Sequence, residues 1–263
     1  MVSSDQTTTA PLLAVDGVTL QYRVEQKLLT AAYRVSFDVL TSDRFVVLGP
    51  SGCGKSTILK AIGGFLKPAE GTIRLNGAPV VRPGPDRAFV FQEFDQLLPW
   101  KTVLQNISFA LTASGKLDKR RAEERAREYI AKVRLDGFAD AFPHTLSGGM
   151  KQRVAIARAM AMEPDILLMD EPFAALDALT RERMQDELMR LWDDTRFTVV
   201  FVTHSIPEAI RVGSRILLLS PHPGQVKAEI NADGGNDDGR ALAARIHTML
   251  FEDTQTQGDP SRG

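Results

Sequence analysis

Hydrophobic residues along this chain fall into short, nearly continuous runs that are separated by longer stretches of helical spacing. The clearest runs cover residues 45–48, 88–91, 166–169, 197–202 and 216–219. Runs this uniform are typical of strands covered on both faces, as in a parallel sheet between layers of helices. Because helical patterns separate most of them, the sequence predicts an α/β core with a mainly parallel sheet.

Ahead of this core, apolar and polar residues alternate with the period of half-exposed strands. The apolar positions of this pattern are Val15, Val18, Leu20, Tyr22, Val35, Phe37 and Val39. They predict an antiparallel β subdomain at the N-terminus.

Residues 92–162 predict an inserted α-helical subdomain. Asp118 can cap a helix, and the residues expected on its buried face are Ala122, Ala126, Ile130 and Val133. The outer face is rich in basic residues, including Lys119, Arg120, Arg121, Arg125 and Arg127. We interpret it as a solvated surface, with a patch for a partner as the alternative.

The organisation expected from these patterns is one domain over residues 12–230 between two tails. Its core comprises residues 12–91 and 163–230 around the helical insertion, and residues 1–11 form a flexible tail. Residues 231–263 are expected to contain a Gly/Asp-rich linker (231–239), a short amphipathic helix and a flexible end. Leu242, Ile246 and Leu250 would lie on one side of that helix.

Composition narrows the classes of function. The 32 Lys and Arg residues nearly balance 33 Asp and Glu residues, and a net charge of −1 gives no support for nucleic acid as a partner. The single cysteine, Cys53, excludes an internal disulfide and suits a reducing cytoplasm. The polar start shows no secretory signal, and every apolar run is too short to cross a bilayer, so a membrane role would require a partner.

A glycine-rich segment between a predicted strand and helix fits G-x-x-x-x-G-K-[ST] at every position. Its residues are Gly49, Pro50, Ser51, Gly52, Cys53, Gly54, Lys55, Ser56 and Thr57, and we call residues 49–57 the phosphate loop. Glycines allow backbone N–H groups to turn toward phosphate oxygens, and the following helix adds its positive end. Lys55 is expected to neutralise phosphates and Ser56 to bind Mg²⁺. Cys53 is interpreted as a small filler of the loop rather than a reactive thiol.

Three further polar residues follow buried strands and are expected at the same edge of the sheet. Asp170 and Glu171 end the run 166–169, where charged groups are costly without a metal or another partner. We assign Asp170 to the Mg²⁺ site and Glu171 to the attacking water. His204 follows the run 197–202 and is expected to contact the γ-phosphate and orient that water. His144, His222 and His247 receive no role.

The segment from Leu146 to Arg153, which reads LSGGMKQR, resembles the signature motif of the ABC ATPase family. Ser147 can cap a helix that begins near Gly148, leaving N–H groups free to bind an anion. The resemblance implies a P-loop NTPase fold with a RecA-like core. It also implies that Ser147, Gly148 and Gly149 bind the γ-phosphate held by a second ATPase subunit. ATP and Mg²⁺ are the expected ligands.

Other positions follow the same resemblance. Gln92 resembles the glutamine that senses Mg²⁺, Asp177 belongs to a segment like the D-loop, and Tyr22 resembles the aromatic that stacks on adenine. Three residues depart from the family pattern: Met150 replaces a common glutamine, Ala174 a common serine and Ser205 a common aspartate. None removes a group that hydrolysis needs, although together they could change its rate.

The segments at 91–103, 170–173, 178–181 and 219–224 resemble the importer group for nitrate, sulfonates and taurine. This implies a peripheral protein that is bound to permease subunits on the cytoplasmic face of the inner membrane. It also implies an extracytoplasmic solute-binding protein that delivers the solute to the complex. Leu97, Leu98 and Trp100 either form part of a groove for the permease or pack within the helical subdomain. Two other functions remain open: an ABC ATPase without a membrane partner, and a regulatory subunit that binds ATP without hydrolysing it.

Overall fold

The structure is a computed structural model that describes residues 10–24, 27–92, 96–232 and 239–251. Its strands are β1 (Leu13–Val24), β2 (Lys27–Val39), β3 (Arg44–Leu48), β4 (Glu70–Leu75), β5 (Ala78–Pro79), β6 (Arg87–Val90), β7 (Ile166–Asp170), β8 (Val199–Thr203), β9 (Arg215–Leu219) and β10 (Val226–Asn231). Its helices are α1 (Lys55–Ile62), α2 (Val103–Ala113), α3 (Lys119–Lys132), α4 (Gly148–Ala161), α5 (Ala178–Thr195), α6 (Ile206–Val212) and α7 (Gly239–Phe251).

A six-stranded sheet in the order β10-β9-β3-β8-β7-β6 forms the centre of the molecule. All neighbouring strands in it are parallel except β10, which pairs antiparallel with β9. The predicted mainly parallel sheet is therefore confirmed. Strand β3 is central, and its last residue Leu48 lies opposite Thr203 of β8, while Val202 lies opposite Asp170 of β7. The loops that follow these three strands consequently meet at one edge.

Both faces of the central sheet are buried, which explains the uninterrupted apolar runs. In β3, Val46 and Leu48 face the cluster that includes helices α2 to α7, whereas Phe45 and Val47 face a second cluster. That second cluster lies between the central sheet, α1 and the antiparallel sheet. Successive side chains of a strand point to opposite faces, so each run contributes to both clusters.

The predicted N-terminal antiparallel strands are confirmed as β1 and β2, which pair from Leu13–Val39 to Val24–Lys27. Strands β4 and β5 complete this sheet in the order β2-β1-β4-β5. They were not among the strands that the apolar pattern predicted. Strand β4 buries only Ile73 and Leu75, so its apolar signal is short.

Helices α2, α3 and α4 all lie within residues 92–162. Asp118 caps α3 as predicted, since its carboxylate accepts a hydrogen bond from the Arg121 backbone N–H at 2.9 Å. The side chains expected on the inner face are buried: Ala122, Ala126, Ile130 and Val133. Helix α3 packs against both α2 and α4.

The C-terminal segment packs on the domain. In α7, Leu242, Ile246 and Leu250 are buried as predicted and share a cluster with α6 and Ile230 of β10. The predicted linker 231–239 is shorter at both ends, because residue 231 ends β10 and residue 239 begins α7. Most of the predicted tails, residues 1–9 and 252–263, lies outside the described residues.

Candidate functional site

The phosphate loop joins β3 to α1 in the conformation that its glycines permit. Gly52 and Gly54 have φ angles of +79° and +97°, a region that other residues rarely adopt. A Cβ atom on Gly54 would lie 2.4 Å from the carbonyl oxygen of Ala31 in β2. The loop is therefore held in close contact with the antiparallel sheet, and a side chain at position 54 would disrupt it.

The N-terminus of α1 points its free backbone donors toward this loop. Gly54 is the N-cap residue and no side chain caps the helix within the described chain. The first N–H groups of a helix have no intrahelical acceptors and carry the positive end of the helix dipole. An uncapped start after a glycine loop is suited to bind phosphate oxygens.

Lys55 supplies a buried positive charge above the loop. Its side chain is 4% exposed, and Nζ donates to the carbonyl oxygens of Gly49 at 2.9 Å and Pro50 at 3.0 Å. The same Nζ lies 3.9 Å from Glu171 Oε1. The Lys55 ammonium thus has two neutral acceptors and only one carboxylate near it, and that carboxylate is partly exposed. Because a buried charge is costly unless it is paired, the ammonium is suited to bind an additional anionic ligand.

Ser56 and Asp170 are joined directly although they are distant in sequence. The Ser56 hydroxyl donates to Asp170 Oδ1 at 2.7 Å. Burial raises the pKa of the Asp170 carboxyl above its ordinary value, and the hydrogen bond from Ser56 opposes that shift. A hydroxyl and a carboxylate together are hard oxygen ligands of the kind that Mg²⁺ prefers.

These residues fit a magnesium ion that arrives with a nucleotide. Among the residues that the structure describes, no group of three or more His, Cys, Asp or Glu side chains could hold a metal. One carboxylate and one hydroxyl are the usual protein share of a Mg²⁺ site whose other ligands are phosphates and water. The chemistry of Ser56 and Asp170 thus agrees with MgATP.

Glu171 and His204 meet beside this pair. His204 Nδ1 lies 2.9 Å from Glu171 Oε2. Because an ionised carboxylate only accepts hydrogen bonds, an ionised Glu171 would take this hydrogen bond from a protonated Nδ1. The Glu171 backbone has a φ of +44° and its N–H donates to Val202 of β8 at 3.0 Å. An uncommon left-handed conformation is thus held by a sheet-like hydrogen bond, which turns the Glu171 side chain toward Lys55 and His204.

The structure therefore brings five predicted residues to one place, where three parallel strands end. We call this set the edge cluster: Lys55, Ser56, Asp170, Glu171 and His204. Carboxyl ends of parallel strands are the usual position of ligand sites in open α/β sheets.

Gln92 and Tyr22 lie around the same region. Gln92 is exposed and follows β6, whose last residue Val90 pairs with Met169 next to Asp170. Tyr22 is 42% exposed on β1 and pairs with Leu29, two positions before the Ala31 that contacts Gly54. Tyr22 is thus an accessible aromatic ring on the strand next to the one that approaches the phosphate loop.

Ser147, Gly148 and Gly149 lie apart from the edge cluster. Ser147 caps α4 as predicted, accepting from the Met150 N–H at 3.3 Å. A Cβ atom on Gly149 would lie 3.1 Å from Thr180 Cγ2 of α5, so the glycine permits close packing of these helices. In the described part of the chain no hydrogen bond or ion pair joins these residues to the phosphate loop.

Asp177 has a local role that the sequence did not suggest. Its carboxylate caps α5 by accepting from the Thr180 N–H at 2.9 Å, and this hydrogen bond lowers the pKa of Asp177. Nearby, Arg181 donates to the carbonyl oxygens of Phe173 at 3.3 Å and Leu176 at 2.8 Å. Arg181 thereby fixes the loop between Glu171 and Asp177. Sequence reasoning missed it because an exposed-looking arginine in an amphipathic helix carries no signal for such contacts.

Cys53 fills space within the phosphate loop. Its side chain is buried, and burial raises the pKa of the thiol while Lys55 opposes the shift. A Cβ atom on Gly49 would lie 2.8 Å from Cys53 Sγ. A Cβ on Gly224, in the loop after β9, would lie 2.1 Å from the Cys53 carbonyl oxygen. The interpretation of Cys53 as filler agrees with this packing, and Gly224 is a supporting residue that the sequence did not reveal.

The residues after Gln92 were expected either to pack within the helical subdomain or to form part of a groove, and different residues do each. Leu97 is buried in the cluster with α2, α3 and α4, and Leu98 is partly buried. Trp100 is 70% exposed and borders a groove of about 450 Å³ with Lys101 and, from α2, Gln105 and Phe109. No helix among the described residues is both long and apolar enough to span a bilayer.

Comparison with known proteins agrees with this geometry. The family model described as ABC transporter matches residues 33–174. A taurine import ATP-binding protein TauB of Rhizobium johnstonii is 54% identical over 200 residues, which cover 76% of each chain. A TauB protein of Pseudomonas putida is 43% identical, with 89% of this chain and 88% of that protein covered.

Solved structures give the same fold. A dimeric ATP-binding cassette in a post-hydrolysis state, bound to ADP and Pi, superposes with a TM-score of 0.73 at 34% identity. The match covers 85% of this chain and 100% of that one. A second dimeric structure of the same cassette, described as a bacterial ABC transporter cassette, superposes with a TM-score of 0.74 at 35% identity. The predicted P-loop NTPase fold is confirmed, and the chain belongs to the ABC transporter family as one of its ATP-binding, ATP-hydrolysing subunits.

Proposed function

We propose that this ATPase drives the import of a small anionic solute, such as taurine, another sulfonate or nitrate, through a separate membrane permease. The observation that carries the ATPase part is the edge cluster, in which Lys55, Ser56, Asp170, Glu171 and His204 converge within hydrogen-bond or ion-pair distance. The import part is supported by the names of the TauB relatives. The solute itself would contact other subunits, so its chemistry is not encoded in this site.

In this proposal the nucleotide is held by residues from three parts of one subunit and by residues of a second subunit. The ATP-binding residues are Tyr22, the phosphate loop (Gly49, Pro50, Ser51, Gly52, Cys53, Gly54, Lys55, Ser56 and Thr57), Gln92, and, from a second subunit, Ser147, Gly148, Gly149 and Asp177. Tyr22 would stack on adenine, and the loop and α1 would bind the phosphates. The metal ligands would be Ser56, Gln92 and Asp170.

The catalytic residues of the proposal are Glu171, His204 and Lys55. A bound Mg²⁺ would supply Lewis-acid stabilisation of charge on the phosphate oxygens. Glu171 would hold the attacking water and take its proton as the new bond to the γ-phosphorus forms and the bond to ADP breaks. His204, held through Nδ1 by Glu171, would donate from Nε2–H to the γ-phosphate, which requires the doubly protonated imidazole. Lys55 would exchange its loop carbonyls for phosphate oxygens.

A second ATPase subunit, most simply another copy, would complete each site. Two observations support this: the start of α4 at Ser147 lies apart from the edge cluster, and the superposed ATP-binding cassette is a dimer in both of its structures. We also propose the division into a core (12–91 and 163–230) and a helical subdomain (92–162). The start of α4 would then close over the nucleotide of the partner.

The permease would bind at the groove bordered by Trp100. An indole that is 70% exposed beside Phe109 and Lys101 is the kind of amphipathic anchor that protein interfaces use. Through this contact the protein would be peripheral on the cytoplasmic face of the inner membrane. An extracytoplasmic solute-binding protein would deliver the solute to the other side of the complex.

Steady-state phosphate release by the purified full chain with MgATP tests the ATPase part. We expect turnover that is abolished in Glu171→Gln and Lys55→Ala, while Glu171→Gln still binds ATP. Turnover at the wild-type rate in Glu171→Gln would overturn the assignment of the catalytic glutamate. Absence of turnover in the wild type together with its permease would instead favour a regulatory subunit.

Purification from native membranes tests the transporter part. We expect an integral membrane protein to co-purify, and ATP hydrolysis by that complex in proteoliposomes to rise with taurine and its binding protein. Recovery of the ATPase without any membrane protein would favour an ABC ATPase that acts alone. Stimulation by a different anion and not by taurine would retain import and correct the solute.

A further inference from the structure

Glu208 on α6 is a buried carboxylate with an unusual environment. The residue is 7% exposed, and within the described chain it forms no ion pair with a lysine, arginine or histidine. A buried carboxylate without a cation is costly unless hydrogen-bond donors surround it. Two donors do so: the Gln185 side-chain amide donates to Oε1 at 3.0 Å, and the Thr203 hydroxyl donates to Oε2.

The Thr203 hydroxyl links this carboxylate to the turn that carries His204. Thr203 is the last residue of β8, and its Oγ1 accepts the backbone N–H of Ser205 at 3.0 Å. The Ser205 hydroxyl in turn accepts the Glu208 backbone N–H at 3.4 Å. His204 therefore lies in a turn whose residues on both sides are bound, directly or through Thr203, to Glu208.

Gln185 connects the same carboxylate to the other side of the site. It belongs to α5, the helix that Asp177 caps directly after the loop of Glu171. A cavity of about 40 Å³ is lined by Glu171, His204 and Glu208 together, so the buried carboxylate lies directly behind the two proposed catalytic residues. Glu208 thus joins α5, α6 and the end of β8 at the back of the edge cluster.

We propose that Glu208 is a positioning residue for ATP hydrolysis. Through Thr203 and Gln185 it fixes the His204 turn, so that the imidazole meets Glu171 with its proton on Nδ1. Glu208 does not contact the nucleotide in this arrangement; it acts through His204. The inference rests on the proposed roles of Glu171 and His204.

The decisive variant is Thr203→Val, which keeps the side-chain shape but removes the hydroxyl between Glu208 and Ser205. Thr203→Ser keeps the hydroxyl and is the conservative rescue. Thr198→Val is the matched control: Thr198 is buried just before the other end of β8, and its hydroxyl accepts the Ser42 backbone N–H at 2.9 Å. It loses a similar hydrogen bond far from His204.

Two readouts separate positioning from general destabilisation. The first is kcat against KM for ATP, measured on folded full-length protein. The second is the tautomer of His204 by ¹⁵N NMR of labelled histidine, which is practicable because the chain has four histidines. His204→Gln assigns the resonance.

We expect Thr203→Val to lower kcat by on the order of 10- to 100-fold, as misplaced catalytic groups do, with KM changed less than about threefold. The population of the Nδ1–H tautomer of His204 should fall in Thr203→Val and remain high in Thr203→Ser. Thr198→Val should retain both the kcat and the tautomer of the wild type. Gln185→Met, which removes the other donor, should shift both readouts in the same direction if Thr203→Val does not fold.

Unchanged kcat and tautomer in folded Thr203→Val, or equal effects in Thr198→Val, would overturn the inference. So would a loss of kcat without any change in the His204 tautomer. His204→Ala distinguishes failure of the proposed role of His204 from failure of the proposed role of Glu208. If His204→Ala keeps the wild-type kcat, the proposed role of His204 fails; if only Thr203→Val keeps it, the role of Glu208 fails alone.

Discussion

Ser56 Oγ donates a hydrogen bond of 2.7 Å to Asp170 Oδ1 and so connects the phosphate loop to the end of β7. The contact stabilises a carboxylate that burial otherwise disfavours. It also brings two of the three proposed metal ligands into direct contact.

Asp170→Asn should stabilise the nucleotide-free protein and weaken binding of MgATP. Burial raises the pKa of Asp170 above 3.8, so its contribution to the free energy of unfolding is present at low pH and is lost as pH rises through the raised pKa. At neutral pH the neutral amide should therefore increase the free energy of unfolding by roughly 0.5–2 kcal/mol.

Denaturant unfolding without nucleotide checks this prediction when it is measured at pH values below and above the range in which the Asp170 carboxyl titrates. The increase in the free energy of unfolding that Asp170→Asn causes should be present at neutral pH and vanish in acid. A variant less stable than the wild type at neutral pH would contradict the attribution of the pKa shift to burial.

Gly54→Ala and Gly52→Ala should differ although both glycines have positive φ. Both substitutions force alanine into a disfavoured conformation, at a cost of about 1–3 kcal/mol. Only at position 54 would the new Cβ also meet a backbone atom, the Ala31 oxygen at 2.4 Å; at position 52 nothing lies within 4 Å. Gly54→Ala should therefore lose more stability and more affinity for ATP.

Thermal unfolding and binding of a fluorescent ATP analogue measure the two effects. Equal losses in both variants would show that the conformational cost, and not the contact with β2, decides the outcome.

Ile246→Ala tests whether α7 is part of the folded domain. Ile246 is fully buried, and removal of a buried isoleucine to alanine typically costs about 2–5 kcal/mol. We expect one cooperative transition that shifts as a whole. An unchanged denaturant midpoint would mean that α7 does not contribute to the stability of the domain.

Trp100→Ala should weaken association with the permease while it leaves the fold intact. Because the side chain is 70% exposed, the free energy of unfolding should change by less than about 0.5 kcal/mol. Affinity for the co-purified membrane partner should fall by roughly tenfold or more. Val81→Ala, at another exposed apolar position, is the control and should bind normally. Undiminished association of folded Trp100→Ala would exclude the groove as the docking site.

The parts of the fold that the sequence predicted are those with strong local patterns. The central strands are buried on both faces, so their apolar runs are continuous, and Asp118 and Ser147 are capping residues that act within one helical turn. Strands β4, β5 and β10 were missed because they bury few residues; Ile230 is the one buried residue of β10.

The edge cluster was predictable because each member follows a recognisable strand, and parallel strands bring their carboxyl ends together. The residues that hold the edge cluster in place could not be predicted from the sequence. Gly224 packs on the Cys53 backbone and Glu208 binds Thr203 and Gln185 through contacts that depend on tertiary geometry. No periodicity or motif in the sequence specifies which distant backbone atom a glycine approaches or which donors surround a buried carboxylate.

The most direct measurement is the mass in solution of Glu171→Gln with and without MgATP, by light scattering on a sizing column. The account predicts a 28.9 kDa monomer without nucleotide and a dimer of twice that mass with it, each subunit retaining uncleaved ATP. Adding Ser147→Glu should prevent pairing while ATP still binds, because a carboxylate would meet the partner's γ-phosphate. A Glu171→Gln protein that stays monomeric with saturating MgATP and its permease, or that releases phosphate at the wild-type rate, would contradict the account.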